Sequence, residues 1–180
     1  MKIVALVGMP GSGKSEVARV FEKHNFFRIR FGDITDEEIS KRGLPLNEEN
    51  ERMVREELRR IHGMAAYAIL NLPKIDHAIL TNNVIIDGLY SWEEYLTLKS
   101  RYGNQFIVIA VWASPATRYN RLANRTIRPL STEEAASRDK AEIEKVNKGG
   151  PIAMADITII NESTLDKLIE TSEEIVMRLQ

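Results

Sequence analysis

The chain has 180 residues, 43% of them hydrophobic, which suits one compact domain that buries roughly 70% of its unfolded surface. With 25 Lys and Arg against 26 Asp and Glu the net charge is −1, so a protein that coats polyanions over its whole surface is excluded and any basic site must be local. There is no cysteine, which excludes disulfides and thiolate metal ligands; the first apolar run is too short for a secretory signal and no later stretch approaches ~18 apolar residues, so a cytoplasmic location away from membranes is expected.

In chain order, Ile3–Val7 is a continuous apolar run, as expected of a strand buried on both faces, and Val17, Val20, Phe21 and His24 follow at helical spacing. Residues 26–31 alternate apolar side chains with Arg28 and Arg30, which predicts a more exposed second strand ending at Gly32 and Asp33. Residues 36–72 read as mainly helical. Asn47 is placed to cap a helix carrying Met53, Val54, Leu58 and Ile61, and Gly63 separates it from a second apolar helix over residues 64–72. "NNVIIDG" predicts a third strand ending at Asp87, then a helix over Trp92–Tyr102, and "QFIVIAVWA" a fourth, buried strand. Residues 115–125 read as helix, interrupted by Pro129. Ser131 with Glu134 makes a capping-box signal for a helix running to about Asn147. "ADITIINE" is the fifth strand, and Ser163 is placed to cap a last helix with Leu165, Leu168, Ile169, Ile175, Val176 and Leu179 on its apolar face. This alternation implies an α/β fold with a mostly parallel sheet and helices on both faces, because parallel neighbours need long crossovers.

Between the first strand and first helix, Gly8, Gly13, Lys14 and Ser15 satisfy G-x-x-x-x-G-K-[ST] in the structural context that gives the pattern meaning. In such a loop, running from Gly8 through Met9, Pro10, Gly11 and Ser12 to Gly13, backbone N–H groups converge on a phosphate and the helix N-terminus adds a partial positive charge. Lys14 then reaches the terminal phosphates and Ser15 ligates Mg²⁺.

Asp87, with Gly88, ends the third strand, where its carboxylate either holds the Mg²⁺ or begins a hairpin turn. Arg118, Arg121, Arg125 and Arg128 are spaced so that a continuous helix would place them on one face, with no acid between residues 115 and 132. Such unpaired guanidiniums repel unless an anion completes them. A mobile arginine segment closing over phosphates, with Arg138 as a further contact, competes with a merely soluble helix or an RNA-contacting stripe. Asp33 is equally readable as an acceptor-side base and as the cap of a helix beginning near Thr35. His24, His62 and His77 are scattered without metal-ligand spacing.

The ordered set of "GMPGSGKSE", Asp33, "DGLYSWEE", the arginine run with "STEEAASRDK", and "IAMADITIINE" resembles the nucleoside-monophosphate-kinase-like branch of the P-loop kinases over nearly the whole length. Within it the chain is similar to the adenylate-kinase-related family common in archaea, itself similar to dephospho-coenzyme A kinase. The resemblance implies a three-layer P-loop fold in one domain, with a five-stranded parallel sheet, an acceptor-binding helical insert at residues 34–75 and an arginine lid at 115–148. It implies a Mg²⁺-ATP-dependent kinase acting on a nucleoside monophosphate or dephospho-coenzyme A. Lys14, Ser15, Asp87, Arg118, Arg121 and Arg125 would serve the donor or the transferring group, Asn161 would lie near the adenine, and Asp33 near an acceptor hydroxyl. A monomer is expected, and nucleic acid is not an expected partner. One departure is Tyr90, which stands where relatives carry arginine. A phenol does not replace a bidentate guanidinium, so either another arginine compensates or the acceptor differs. A nucleotide-binding regulatory ATPase and an RNA-associated ATPase are the competing classes.

Overall fold

The computed structural model describes residues 1–126 and 129–180. In chain order the elements are β1 (Ile3–Val7), α1 (Lys14–Lys23), β2 (Phe27–Arg30), α2 (Asp33–Lys41), α3 (Glu48–His62), α4 (Ala66–Ala78), β3 (Val84–Asp87), α5 (Trp92–Tyr102), a short 3₁₀ turn (Gly103–Gln105), β4 (Phe106–Trp112), α6 (Pro115–Ala123), α7 (Thr132–Glu144), α8 (Gly149–Ala153), β5 (Ile157–Ile160) and α9 (Leu165–Leu179). The strands form one sheet in the order β2-β3-β1-β4-β5, and every pairing is parallel. All five C-terminal strand ends therefore open at the same edge, the edge where open α/β sheets bind ligands.

Because successive strand residues point to opposite faces, the apolar run of β1 serves two cores. Val4 and Leu6 pack with Ile85, Ile109 and Val111 against Val17 and Phe21 of α1 and Leu168 and Val176 of α9. Ile3, Ala5 and Val7 pack with Ile86 and Val108 against Tyr67 and Ile75 of α4 and Leu98 of α5. The sheet is thus five-stranded, wholly parallel and covered by helices on both faces.

Several boundaries differ from the sequence reading, each for a local reason. The second helix of the 34–75 region does not stop at Leu72: α4 runs to Ala78 through Pro73, because Ala68, Asn71, Ile75 and Ala78 are buried and packing outweighs the missing N–H. Asn47 does cap α3, its side chain accepting from the Asn50 N–H at 2.9 Å, but only Val54 and Leu58 of the expected stripe are buried while Met53 and Ile61 stay exposed. The helix after β4 ends at Ala123, two residues before Arg125, where the Asn124 amide folds back to donate to the Asn120 carbonyl at 2.8 Å. The expected capping box at Ser131 and Glu134 is present, but α7 stops at Glu144, and Asn147 turns the chain in a left-handed conformation. The last helix is capped by Thr164, one residue beyond Ser163, and its Leu165 is exposed.

Candidate phosphate-binding site

β1 delivers the chain to the open edge of the sheet, and the six residues that follow curl back into α1 with Gly8, Gly11 and Gly13 at positive φ. At all three a side chain is also sterically excluded: a Cβ on Gly11 would approach the Arg118 carbonyl oxygen to 2.8 Å. A Cβ on Gly8 would approach the Val111 carbonyl oxygen to 2.3 Å, and one on Gly13 would approach Asn161 Nδ2 to 2.5 Å. The loop is braced from three sides: Ser12 N–H donates to the Met9 carbonyl at 3.2 Å, Asn161 Nδ2 to the Ser12 carbonyl at 2.8 Å, and Arg118 Nη1 to the Pro10 carbonyl at 3.1 Å. No side chain caps α1 at Gly13, which leaves its N-terminal partial charge facing the loop. Ser12 Oγ is buried without a hydrogen-bond partner, and Lys14 Nζ donates to the Gly8 and Met9 carbonyls at 2.8 and 3.0 Å.

Over this loop lies a cleft of about 450 Å³, a volume suited to a small-molecule ligand. Pro10, Gly11, Gly13, Lys14 and Ser15 form its floor. Arg121, Arg125, Arg138 and Lys148 bring four more cations to its walls, against the acids Glu16 and Glu142, and Tyr90, Asn161 and Ser163 complete the polar lining. Burial, then the neighbouring Lys148, draws the Lys14 ammonium down to a pKa of about 7, against the opposing pull of Glu142 and Asp87. Burial, then Arg138, also lowers the pKa of Arg125. Glu142 is held below the usual carboxylate range: burial opposes its charge, but Lys148, Arg138 and Lys14 together outweigh it. Burial pushes the Tyr90 phenol up, so it stays protonated. Arg121 Nη2 reaches Asn161 Oδ1 at 3.4 Å, while its Nη1 is buried with no partner.

The expected residues divide accordingly. Lys14, Ser15, Arg121, Arg125, Arg138 and Asn161 meet at the cleft. Arg118 does not. It is 4% exposed, pairs with Asp139 through Nη1 at 3.0 Å and Nη2 at 2.6 Å, and also bonds the Ala113 carbonyl, so its guanidinium is occupied beneath the loop. This corrects the picture of unpaired arginines on one helical face: the first is neutralised by an acid 21 residues on, and Arg125 lies beyond the helix end. Arg128 lies outside the described residues.

Asp87 stands at the end of β3 opposite Leu6 of β1, beside the loop, and β3 pairs in parallel on both sides, which removes the hairpin alternative. Its Oδ2 accepts from Arg28 Nη2 at 2.6 Å. Asp33 is the first residue of α2 and not its cap: the N-cap position is Gly32 and no side chain caps it. Its carboxylate pairs with Arg30 at 3.1 Å on the half-exposed rim of the sheet edge. Lys148 and Glu142 were missed. Glu142 follows Arg138 by four residues, a spacing that signals a pair, but nothing around Lys148 in "NKGGP" marks it as a pocket residue.

As a donor set for Mg²⁺, Ser15 and Asp87 offer one hydroxyl and one carboxylate, and among the described residues no group of three or more His, Asp or Glu forms a metal cage. That set fits an ion that keeps waters and shares phosphate oxygens. Among the described residues no helix is long and apolar enough to cross a membrane.

A family profile described as an AAA domain matches residues 4–147. A UPF0200 protein of Thermococcus sibiricus is 38% identical over 98% of this chain and 95% of its own length, and one of Pyrococcus abyssi is 34% identical over 98% and 96%. Among solved structures, a gluconokinase from Sinorhizobium meliloti superposes with a TM-score of 0.60 at 15% identity, covering 99% of this chain and 93% of that one. A shikimate kinase from Bacteroides thetaiotaomicron superposes with a TM-score of 0.60 at 16% identity, covering 99% and 97%. At that identity the likeness establishes the fold.

Proposed function

The chain belongs to the UPF0200 family, and from that premise we propose that it is a Mg²⁺-ATP-dependent phosphotransferase whose acceptor is a small nucleotide-like molecule, a nucleoside monophosphate or dephospho-coenzyme A. The observation that carries the reading is the buried, partnerless Arg121 Nη1 in the cleft over a glycine loop that no side chain can fill. A buried guanidinium N–H without an acceptor is costly, and a phosphate oxygen supplies the acceptor.

In this reading the loop from Gly8 to Ser15 cradles the donor phosphates. Lys14 exchanges its two carbonyl partners for phosphate oxygens, and Arg121, Arg125 and Arg138 neutralise charge that develops during transfer. Asn161, fixed to Ser12 and Arg121, shapes the nucleoside end. Ser15 and Asp87 hold Mg²⁺, which when bound neutralises phosphate charge and orients the transferring group. For Asp87 this requires that the ion share the carboxylate with Arg28. Residues 34–75, carrying α2, α3 and most of α4, form the acceptor side, with Asp33 at its entrance, and residues 115–148 form the lid. Closure of both would exclude the water that otherwise accepts the phosphoryl group.

The test is to incubate purified protein with Mg²⁺-ATP and each candidate acceptor while following phosphorylated product. Product from one acceptor, abolished in Lys14→Ala, supports the reading. ATP consumption without any product overturns it and identifies a nucleotide-binding regulatory ATPase instead.

A further inference from the structure

Lys148 is the most deeply buried cation of the cleft, 1% exposed, and the residues on either side of it are held against α5. Asn147, in the left-handed turn before it, donates to Glu93 of α5 at 3.1 Å, and Gly150 lies so close to Trp92 of α5 that a Cβ there would meet the ring at 2.8 Å. The ammonium lies over the Tyr90 ring, 4.8 Å from its centroid, and its carboxylate partner is Glu142 of α7. Glu142 also accepts from Arg138 at 3.2 Å. One carboxylate thus serves Arg138 and Lys148 while Lys14 stands nearby. Cations crowded around one carboxylate repel one another, and a multiply charged anion would complete them.

We propose that Lys148 is a second phosphate-binding ammonium of this site, seated on the Tyr90 ring and aimed at the terminal phosphate of the donor, and that Glu142 holds its place until that phosphate arrives. The assignment rests on the phosphotransferase reading above. It gives Tyr90 a role that a guanidinium at that position would not fill: the ring stabilises a cation supplied from another segment. Glu142 and the terminal phosphate compete for the same donors, so binding ATP requires α7 to release Lys148.

The experiment measures ATP and ADP binding calorimetrically, with Mg²⁺, on the wild-type chain, Lys148→Met, Glu142→Gln and Tyr90→Leu. A charge-assisted contact to one phosphate predicts that Lys148→Met weakens ATP by about 10- to 100-fold while ADP changes by less than about 3-fold. Tyr90→Leu should move the same way by a smaller factor. Glu142→Gln, which removes the competing anion and keeps the side-chain shape, should tighten ATP by about 3- to 10-fold, and it serves if Lys148→Met fails to fold. Equal losses for ATP and ADP, or weaker ATP binding by Glu142→Gln, overturn the assignment of Lys148 alone. A wild-type chain that binds neither nucleotide overturns the phosphotransferase reading beneath it.

Discussion

With its ammonium drawn down to a pKa of about 7, Lys14 is mostly neutral at pH 8 before a nucleotide binds, and a phosphate beside it restores the charge. ATP binding at pH 8 should therefore take up most of one proton, and at pH 6 almost none. The check is calorimetry in two buffers of different ionisation enthalpy. Lys14→Met should abolish the difference, and an unchanged uptake in that variant would assign the proton to another group. Asp33 is the second informative residue. Since it caps nothing and its pair with Arg30 is half-exposed, Asp33→Asn should change stability by less than about 1 kcal/mol. Any activity loss then reports chemistry. A hydroxyl acceptor has a proton to lose and predicts a turnover drop on the order of 10² to 10⁴, whereas a phosphate acceptor attacks as an anion and predicts little change. Full activity in Asp33→Asn with Mg²⁺-ATP would favour the monophosphate acceptor.

At the scale of elements, α6 and α7 are joined by the buried Arg118–Asp139 pair, and the same guanidinium touches the phosphate loop at Pro10. Removing one member of such a pair strands the other charge, so Asp139→Asn should cost about 3 kcal/mol in urea unfolding and loosen α7 from α6. A cost below about 1 kcal/mol would mean that α7 is held by other contacts. This pair also marks where the sequence stops being legible. The buried strands, the phosphate loop and the capping box at Ser131 with Glu134 are local patterns, because each is set by residues within a few positions of one another. Arg118 is read as unpaired only if its partner is sought nearby, and Asp139 reaches it through the tertiary fold. The same limit hides Lys148, whose environment is built by Tyr90 and Glu142 from separate elements. Pro73 fails for the opposite reason: its local signal to stop is real, and burial of Ile75 and Ala78 overrides it.

For the molecule as a whole, the buried Glu94 and the part-buried Lys14 give stability an unusual dependence on pH. Glu94 is fully buried in the capping box of α5, with Oε1 unpartnered, and burial raises its pKa from 4.5 to about 7 against the backbone bonds from Tyr90 and Ser91. Between those values the unfolded chain has lost a proton that the folded chain keeps, so stability falls as pH rises from about 4.5 to about 7. Lys14 acts in the opposite sense. Its folded pKa of about 7 lies below the ordinary 10.5, so over that interval the unfolded chain holds a proton that the folded chain lacks, and stability rises with pH. The two contributions place a stability minimum near pH 7, which urea midpoints at pH 5, 7 and 9 would detect. Glu94→Gln keeps the side-chain shape without the charge and should remove the acid limb of the curve, while Lys14→Met should remove the alkaline limb. ATP at about 100 times its dissociation constant should fill the minimum by about 2.7 kcal/mol, because it binds only the folded chain and supplies the anion that Lys14 lacks. A wild-type curve without a minimum, unaltered in slope by either substitution, would show that neither Glu94 nor Lys14 is desolvated as the structure places it.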